Sequence, residues 1–176
     1  MTLKLENISH ICIILAALVV GVTTLESRFN KKTPPSMGER EKELRSIKLD
    51  LAKEAKGEAA VILMLSTSCK FCDESSEFYK RVSKLKDDSQ GRIKLVTFFR
   101  EPIEQAQKKL SDWRITPDFV YANGFKFLED KVSGTPTVLL AGTDGKVIDS
   151  WLGKLSSERE AVAMESIKRA CKTCAW

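Results

Sequence analysis

The sequence contains no internal repeat and no low-complexity tract, which removes repeat arrays and compositionally disordered chains from consideration. It also lacks a strong net charge: 29 Lys and Arg stand against 24 Asp and Glu, a balance of +5 spread along the chain. The charged stretch 42–56 mixes both signs and reads as a solvated helix face, not a nucleic-acid surface. The sharpest absence is local. Residues 8–25, ISHICIILAALVVGVTTL, hold no Asp, Glu, Lys or Arg. As a helix that run spans ~27 Å, close to the hydrocarbon thickness of a bilayer. A cleaved signal peptide has a similar run but ends on small residues at a cleavage site, and the following TTLESRFNKK offers no A-x-A. An uncleaved membrane anchor is therefore favoured over a cleaved signal and over a buried soluble helix. Lys4 precedes the span, whereas Arg28, Lys31 and Lys32 follow it, so a bare count of positive flanks would leave the following domain in the cytoplasm. His10 and Cys12 lie within the span without an identifiable partner and are assigned no role.

What is present suits one globular domain with a short appendage: 176 residues, 43% of them hydrophobic. Residues 1–26 are expected as the anchor, 27–39 as a linker and 40–176 as the folded domain. Pro34, Pro35, Ser36 and Gly38 give the linker its stiff, polar character. Residues 40–56 predict an amphipathic helix, with Leu44, Ile47 and Leu51 as a thin apolar stripe and Gly57 ending it. AAVILML, 59–65, predicts a strand buried on both faces. Phe78, Tyr79, Val82 and Leu85 recur at helical spacing, so a helix is expected over 69–86, followed by a loop over 87–91. IKLVTFF, 93–99, is a second strand, and Pro102 opens a helix reaching about Trp113.

Phe119, Val120, Tyr121, Phe125, Phe127, Leu128 and Val132 suggest a short strand and a short helix without clear boundaries. TVLLA, 137–141, and residues 146–152 flank the turn Gly142-Thr143-Asp144-Gly145 and predict an antiparallel hairpin broken by Gly153. Ser157-Glu158-Arg159-Glu160 has the form of a capping box before a final helix carrying Val162, Met164, Ile167, Ala170 and Cys171. The alternation of helix and strand predicts an α/β sandwich, its first two long strands parallel and a hairpin at one edge.

Two features carry chemistry. Cys69 and Cys72 are one helical turn apart, where the buried strand gives way to a helix. Free amide N–H groups at a helix start favour an anion there, so Cys69 is placed to act as a thiolate, with Lys70 adding positive charge. Cys69 would attack a substrate disulfide and Cys72 would resolve the mixed disulfide. The second feature is distant: Pro136 in SGTPTV opens a strand, where it cannot donate a ladder hydrogen bond. An ordinary trans proline at a strand entrance is one reading. Beside a C-x-x-C, a cis Thr135–Pro136 peptide is favoured, turning the Thr135 backbone toward Cys69 to pair with an extended substrate.

Strand, CKFC, helix, then strand, helix, GTPTVLL, a TDGKV hairpin, W-x-G and a last helix resemble the thioredoxin superfamily over residues 40–170 or so. With the single anchor and the long segment before GTPT, the chain resembles membrane-tethered thiol–disulfide oxidoreductases of the TlpA/ResA type. The resemblance implies a thioredoxin-like three-layer sandwich with a mixed central sheet. It implies a redox domain on the outer face of a bacterial cytoplasmic membrane, against the charge count. Expected partners are disulfide-containing proteins and a membrane or soluble electron donor, with no dissociable cofactor, no metal and no nucleic acid. Three positions depart from the pattern. Ser68 replaces the usual Trp before the first cysteine, Leu63 stands where thioredoxin carries a buried Asp, and Ser75 takes the place of a common Glu. Lys70 and Glu74 are the candidate modulators of the dithiol; Glu74 or Glu77 could accept the proton of Cys72, although a solvated helix face suits either better.

Cys171 and Cys174 form a second C-x-x-C. A local structural disulfide is favoured over a second redox pair relaying electrons to the first, and both over a four-cysteine zinc site, whose pairs are usually ~15–20 residues apart. A peroxidase is disfavoured because no Pro precedes Cys69 in its strand and Thr67 is misplaced. The rival to an oxidoreductase is a thioredoxin-like adaptor with Cys69 and Cys72 locked as a structural disulfide.

Overall fold

The computed structural model describes residues 35–49, 57–124, 132 and 134–174. Its centre is β1 (Ala59–Leu65), in which all seven residues are buried. A strand with apolar residues on both faces must be covered on both, and β1 is. It pairs in parallel with β2 (Ile93–Phe99) and antiparallel with β4 (Thr137–Gly142). β3 (Phe119–Tyr121) extends the sheet beyond β2, and β5 (Val147–Leu152) pairs antiparallel with β4, giving the order β3-β2-β1-β4-β5. The mixed sheet thus has a parallel half and a hairpin half.

Alternate residues of β1 feed two cores. Val61, Leu63 and Leu65 face a layer holding Phe78, Tyr79 and Val82 of α3 (Ser76–Asp88), Ala106 and Leu110 of α4 (Ile103–Asp112), and Ala163 and Ile167 of α5 (Ser157–Ala170). Ala60, Ile62 and Met64 face the other layer, with Leu44 of α1 (Met37–Leu44), Ile47 and Leu49. A single-turn helix, α2 (Lys70–Glu74), joins β1 to α3 through Ser75, whose φ of −97° and ψ of 4° break the expected continuous helix.

Several expectations shift at element ends. The helix expected over 40–56 begins earlier and stops sooner. Ser36 and Glu39, both expected in the linker, form a capping box for α1. The helix then ends at Leu44, and Ile47 and Leu49 become extended, exchanging backbone bonds with Val147 (3.3 Å) and Gly145 (2.8 Å) of the hairpin. Docking on the sheet wins over helix propensity there. Leu51 lies outside the described residues. The final helix is capped by Ser156, which accepts from Arg159 N, not by Ser157. Asp87 and Asp88 belong to α3 rather than to the loop; the turn is made at Gln90 and Gly91, with φ of 54° and 84°. The short strand is β3, whereas Phe125, Phe127 and Leu128 lie outside the described residues.

Contacts divide the chain between Pro35 and Ser36. The expected span 8–25 also lies outside the described residues, among which no helix is long and apolar enough to cross a membrane.

Candidate active site

Because β1 and β4 are antiparallel, the C-terminal end of β1 meets the N-terminal end of β4: Met64 faces Thr137 across the ladder. This brings together the two segments singled out in the sequence. The chain leaves β1 at buried Ser66, turns through exposed Ser68 and reaches Cys69, which caps α2. Cys72 N–H donates to the Cys69 sulfur at 3.2 Å. Opposite, the Thr135–Pro136 peptide is cis, and the Cys69 thiol donates to the Thr135 carbonyl at 3.4 Å. The loop carrying that peptide is pinned on both sides. The Thr137 hydroxyl donates to Gly134 O at 2.8 Å, and Gly153 N–H donates to Pro136 O at 2.8 Å.

The two sulfurs occupy different environments. Cys69 is partly exposed, whereas Cys72 is fully buried. Both are free thiols. Burial, reinforced by the neighbouring Cys69 sulfur, pushes the Cys72 thiol up to about 12 from an ordinary 9.0. Opposing this, the Ser66 N–H and the Thr135 hydroxyl favour its ionised form.

Neither helix acid is turned to Cys72. Glu74 is bonded to Lys154 at 2.8 Å, with Lys70 at 3.8 Å, and the Lys154 hydrogen bond holds its carboxyl below the usual range. Glu77 pairs with Lys80 at 2.5 Å. Both serve the exposed helix face. Lys70 has a side chain 84% exposed and bridges to Glu74. Asp73 accepts from the Trp113 indole at 3.1 Å and from Lys109 at 2.6 Å, tying the active-site helix to the end of α4.

The carboxylate that does contact this segment is Glu101, which the sequence reading did not identify. It accepts from the Ser66 hydroxyl at 2.5 Å, and Ser66 Oγ lies 3.0 Å from Ser68 Oγ. Burial pushes the Glu101 carboxyl up, but hydrogen bonds from Ser66 and Thr67 outweigh it and hold the group below the usual range. In place of a tryptophan before the first cysteine, this site has a serine turn bound to an acid on the next loop. The only sequence signal for it is equal strand lengths: Leu65 pairs with Phe99, so two residues beyond each lie Thr67 and Glu101.

Cys171 and Cys174 are joined by a disulfide. Their turn is held by Glu58, which accepts from Thr173 N at 3.2 Å and from its hydroxyl, and by Arg92, which donates to Thr173 O at 3.1 Å. Glu58 precedes β1, whereas Ser66 follows it, so the second pair sits a strand's length, about 20 Å, from the dithiol. That separation rules out direct sulfur exchange between the pairs within one domain, and zinc bound by all four sulfurs. Among the described residues, no group of three or more His, Cys, Asp or Glu side chains is placed to hold a metal ion.

No protein-family model and no curated protein matches the sequence. Solved structures do match in shape. A thiol:disulfide interchange protein of the thioredoxin family from Chlorobium tepidum TLS gives a TM-score of 0.54 at 19% identity, over 68% of this chain and 84% of that one. A DsbF homologue from Corynebacterium diphtheriae gives 0.54 at 19% identity, over 70% and 80%. A thiol:disulfide interchange protein from Bacteroides sp. gives 0.52 at 13% identity, over 70% and 84%. At such identities the likeness is one of fold. The described residues adopt the thioredoxin fold, its C-x-x-C and proline loop meeting at one end of the sheet.

Proposed function

We propose that the protein is a thiol–disulfide oxidoreductase that reduces disulfides in protein substrates. The observation that carries this reading is the placement of a partly exposed Cys69 sulfur against the carbonyl of Thr135, with Cys72 buried one turn behind it. A client cysteine pair laid along Thr135 and Pro136 presents its disulfide to Cys69. The Cys69 thiolate attacks one client sulfur, the client disulfide breaks, and the other client sulfur leaves and takes up a proton. Cys72 then attacks Cys69 in the mixed disulfide, releasing the second client thiol. The client gains two electrons, and a Cys69–Cys72 disulfide remains for an external dithiol donor to reduce. No dissociable cofactor enters the cycle. Lys70 modulates the site through its charge near Cys69.

The domain is held at a bacterial cytoplasmic membrane by residues 8–25, facing the extracytoplasmic side. The charge-free run supports the anchor. The Cys171–Cys174 disulfide supports an oxidising compartment.

The test is insulin reduction with dithiothreitol as the final reductant. Cys69→Ser is expected to fall to the uncatalysed rate, and Cys72→Ser to accumulate mixed disulfides with clients on thiol trapping. Full insulin-reducing activity in Cys69→Ser sinks the assignment.

A further inference from the structure

Tyr79 is fully buried, and its hydroxyl has no hydrogen-bond partner among the described residues. A buried donor left unmade costs free energy, so such a group calls for an explanation. Its position supplies one. Cys72, Ser75 and Tyr79 follow one another at helical spacing, three and four residues apart, and all three are buried. Side chains on a helix lean toward its N-terminus, which directs the Tyr79 ring back over the Ser75 turn and toward Cys72. Cys72 and Tyr79 belong to the same buried cluster, and Trp113, 5.8 Å away between ring centroids, fixes the ring. Burial and then the charge of an ionised Cys72 are the two largest influences raising the phenol, which therefore stays protonated. The nearest polar neighbour along the helix, the Ser75 hydroxyl, spends its own proton on Phe71 O at 2.8 Å, and the phenol is left without a hydrogen-bond partner among the described residues.

We propose that the Tyr79 hydroxyl is held in reserve for Cys72, donating a hydrogen bond to that sulfur as it becomes a thiolate in the resolving step. The inference rests on the dithiol mechanism above. In the reduced ground state Cys72 is a thiol, a weak acceptor, and the phenol is unmatched. When Cys72 loses its proton to attack the Cys69–client disulfide, its sulfur becomes a strong acceptor inside a dry cluster. A donor already in place stabilises the developing charge without reorganisation. The Ser66 N–H and Thr135 hydroxyl approach the same sulfur, and Tyr79 adds a donor from the helix. The proton given up by Cys72 ends on the leaving client thiol. Tyr79 transfers no proton and keeps its own throughout.

One equivalent of 5,5′-dithiobis(2-nitrobenzoate), mixed with reduced protein in a stopped-flow instrument, separates the two steps. Attack by Cys69 releases one thionitrobenzoate; attack by Cys72 on the mixed disulfide releases the other. For Tyr79→Phe the first phase is expected to stay within about twofold of wild type. The second should slow about tenfold to a hundredfold, the worth of one hydrogen bond to a charged group. The melting temperature should equal or exceed that of wild type, since an unmatched buried hydroxyl has been removed from a ring of the same shape. Greater stability with a slower second phase cannot come from a merely structural role. An unchanged second phase overturns the proposal, as does a parallel slowing of both phases or a lowered melting temperature. A wild-type protein that releases only one thionitrobenzoate refutes the dithiol mechanism itself, and this inference with it.

Discussion

Cys72 is the group whose ionisation the fold most opposes, and its effect on stability can be worked out. Below pH 9 the thiol is neutral in both folded and unfolded chains, so it contributes no pH dependence. Above that, an unfolded chain ionises it near the ordinary 9.0, while the folded protein holds it neutral until about 12. The unfolded state therefore gains, and stability is lost as pH rises across that window. The full gap of about three units is worth about 4 kcal/mol, at about 1.36 kcal/mol per unit. At about pH 10.5, half-way through the window, the expected loss is about 2 kcal/mol. Lysines and tyrosines titrate in the same range, so the comparison needs a partner protein that shares them. Cys72→Ser has a hydroxyl that does not ionise there and leaves all other groups in place. Urea unfolding of both proteins, reduced, at pH 8 and at about pH 10.5 gives two stability differences. Their difference should be about 2 kcal/mol against wild type. A wild-type protein that keeps its margin over Cys72→Ser unchanged at the higher pH would refute the reasoning. It would mean that the buried sulfur ionises as readily folded as unfolded.

The remaining predictions concern the two ends of the chain. Replacing Cys171 and Cys174 together by Ser opens a loop closed by residues three apart, which chain entropy values at about 2 kcal/mol. Insulin reduction should stay within about twofold, because the pair lies a strand's length from Cys69; loss of turnover in a folded protein would revive an electron relay. For the anchor, the full-length protein expressed in a bacterium should remain in the membrane pellet after alkaline carbonate extraction, whereas a chain starting at Ser36 should be released. Release of the full-length protein would remove the anchor.

The sequence was readable where one short segment decides the outcome by itself. AAVILML has no polar residue to place at a surface, and its short length, Val61, Ile62 and the flanking Gly57 and Ser66 mark it as a strand covered on both faces, which β1 is. CKFC at its end, and a proline opening TVLL, mark their positions by chemistry that ordinary strands and helices avoid. Legibility failed where a distant partner decides. Leu44, Ile47 and Leu51 fit a helical stripe, but Ile47 and Leu49 also fit an extended pair, and the hairpin supplies the backbone bonds that select it. Adjacent serines at 156 and 157 offer the same cap chemistry, so nothing local separates them. Glu101 looks like any strand-end acid until the β1–β2 register sets it beside the serine turn. Tyr79 reads correctly as a core residue, but that its hydroxyl goes unmatched is a property of the packed cluster alone.

The division of labour between the two cysteines follows from the same geometry that brings them together. In the first C-x-x-C the residues between the sulfurs make a turn of helix. That turn starts where β1, buried along its whole length, comes to the surface. The first residue of the turn is consequently at the rim, with amide groups of the turn directed at its side chain, and Cys72 N–H is so directed. Three residues later the helix has rotated back over the sheet, and the second sulfur is fully covered. The residues between them face outward, as Lys70 and the 55% exposed Phe71 do, and are free to meet a client. The same turn that exposes the Cys69 sulfur thus buries that of Cys72. The buried one then needs donors from within the protein to ionise, and Ser66 and Thr135 are placed to act on Cys72 in that way.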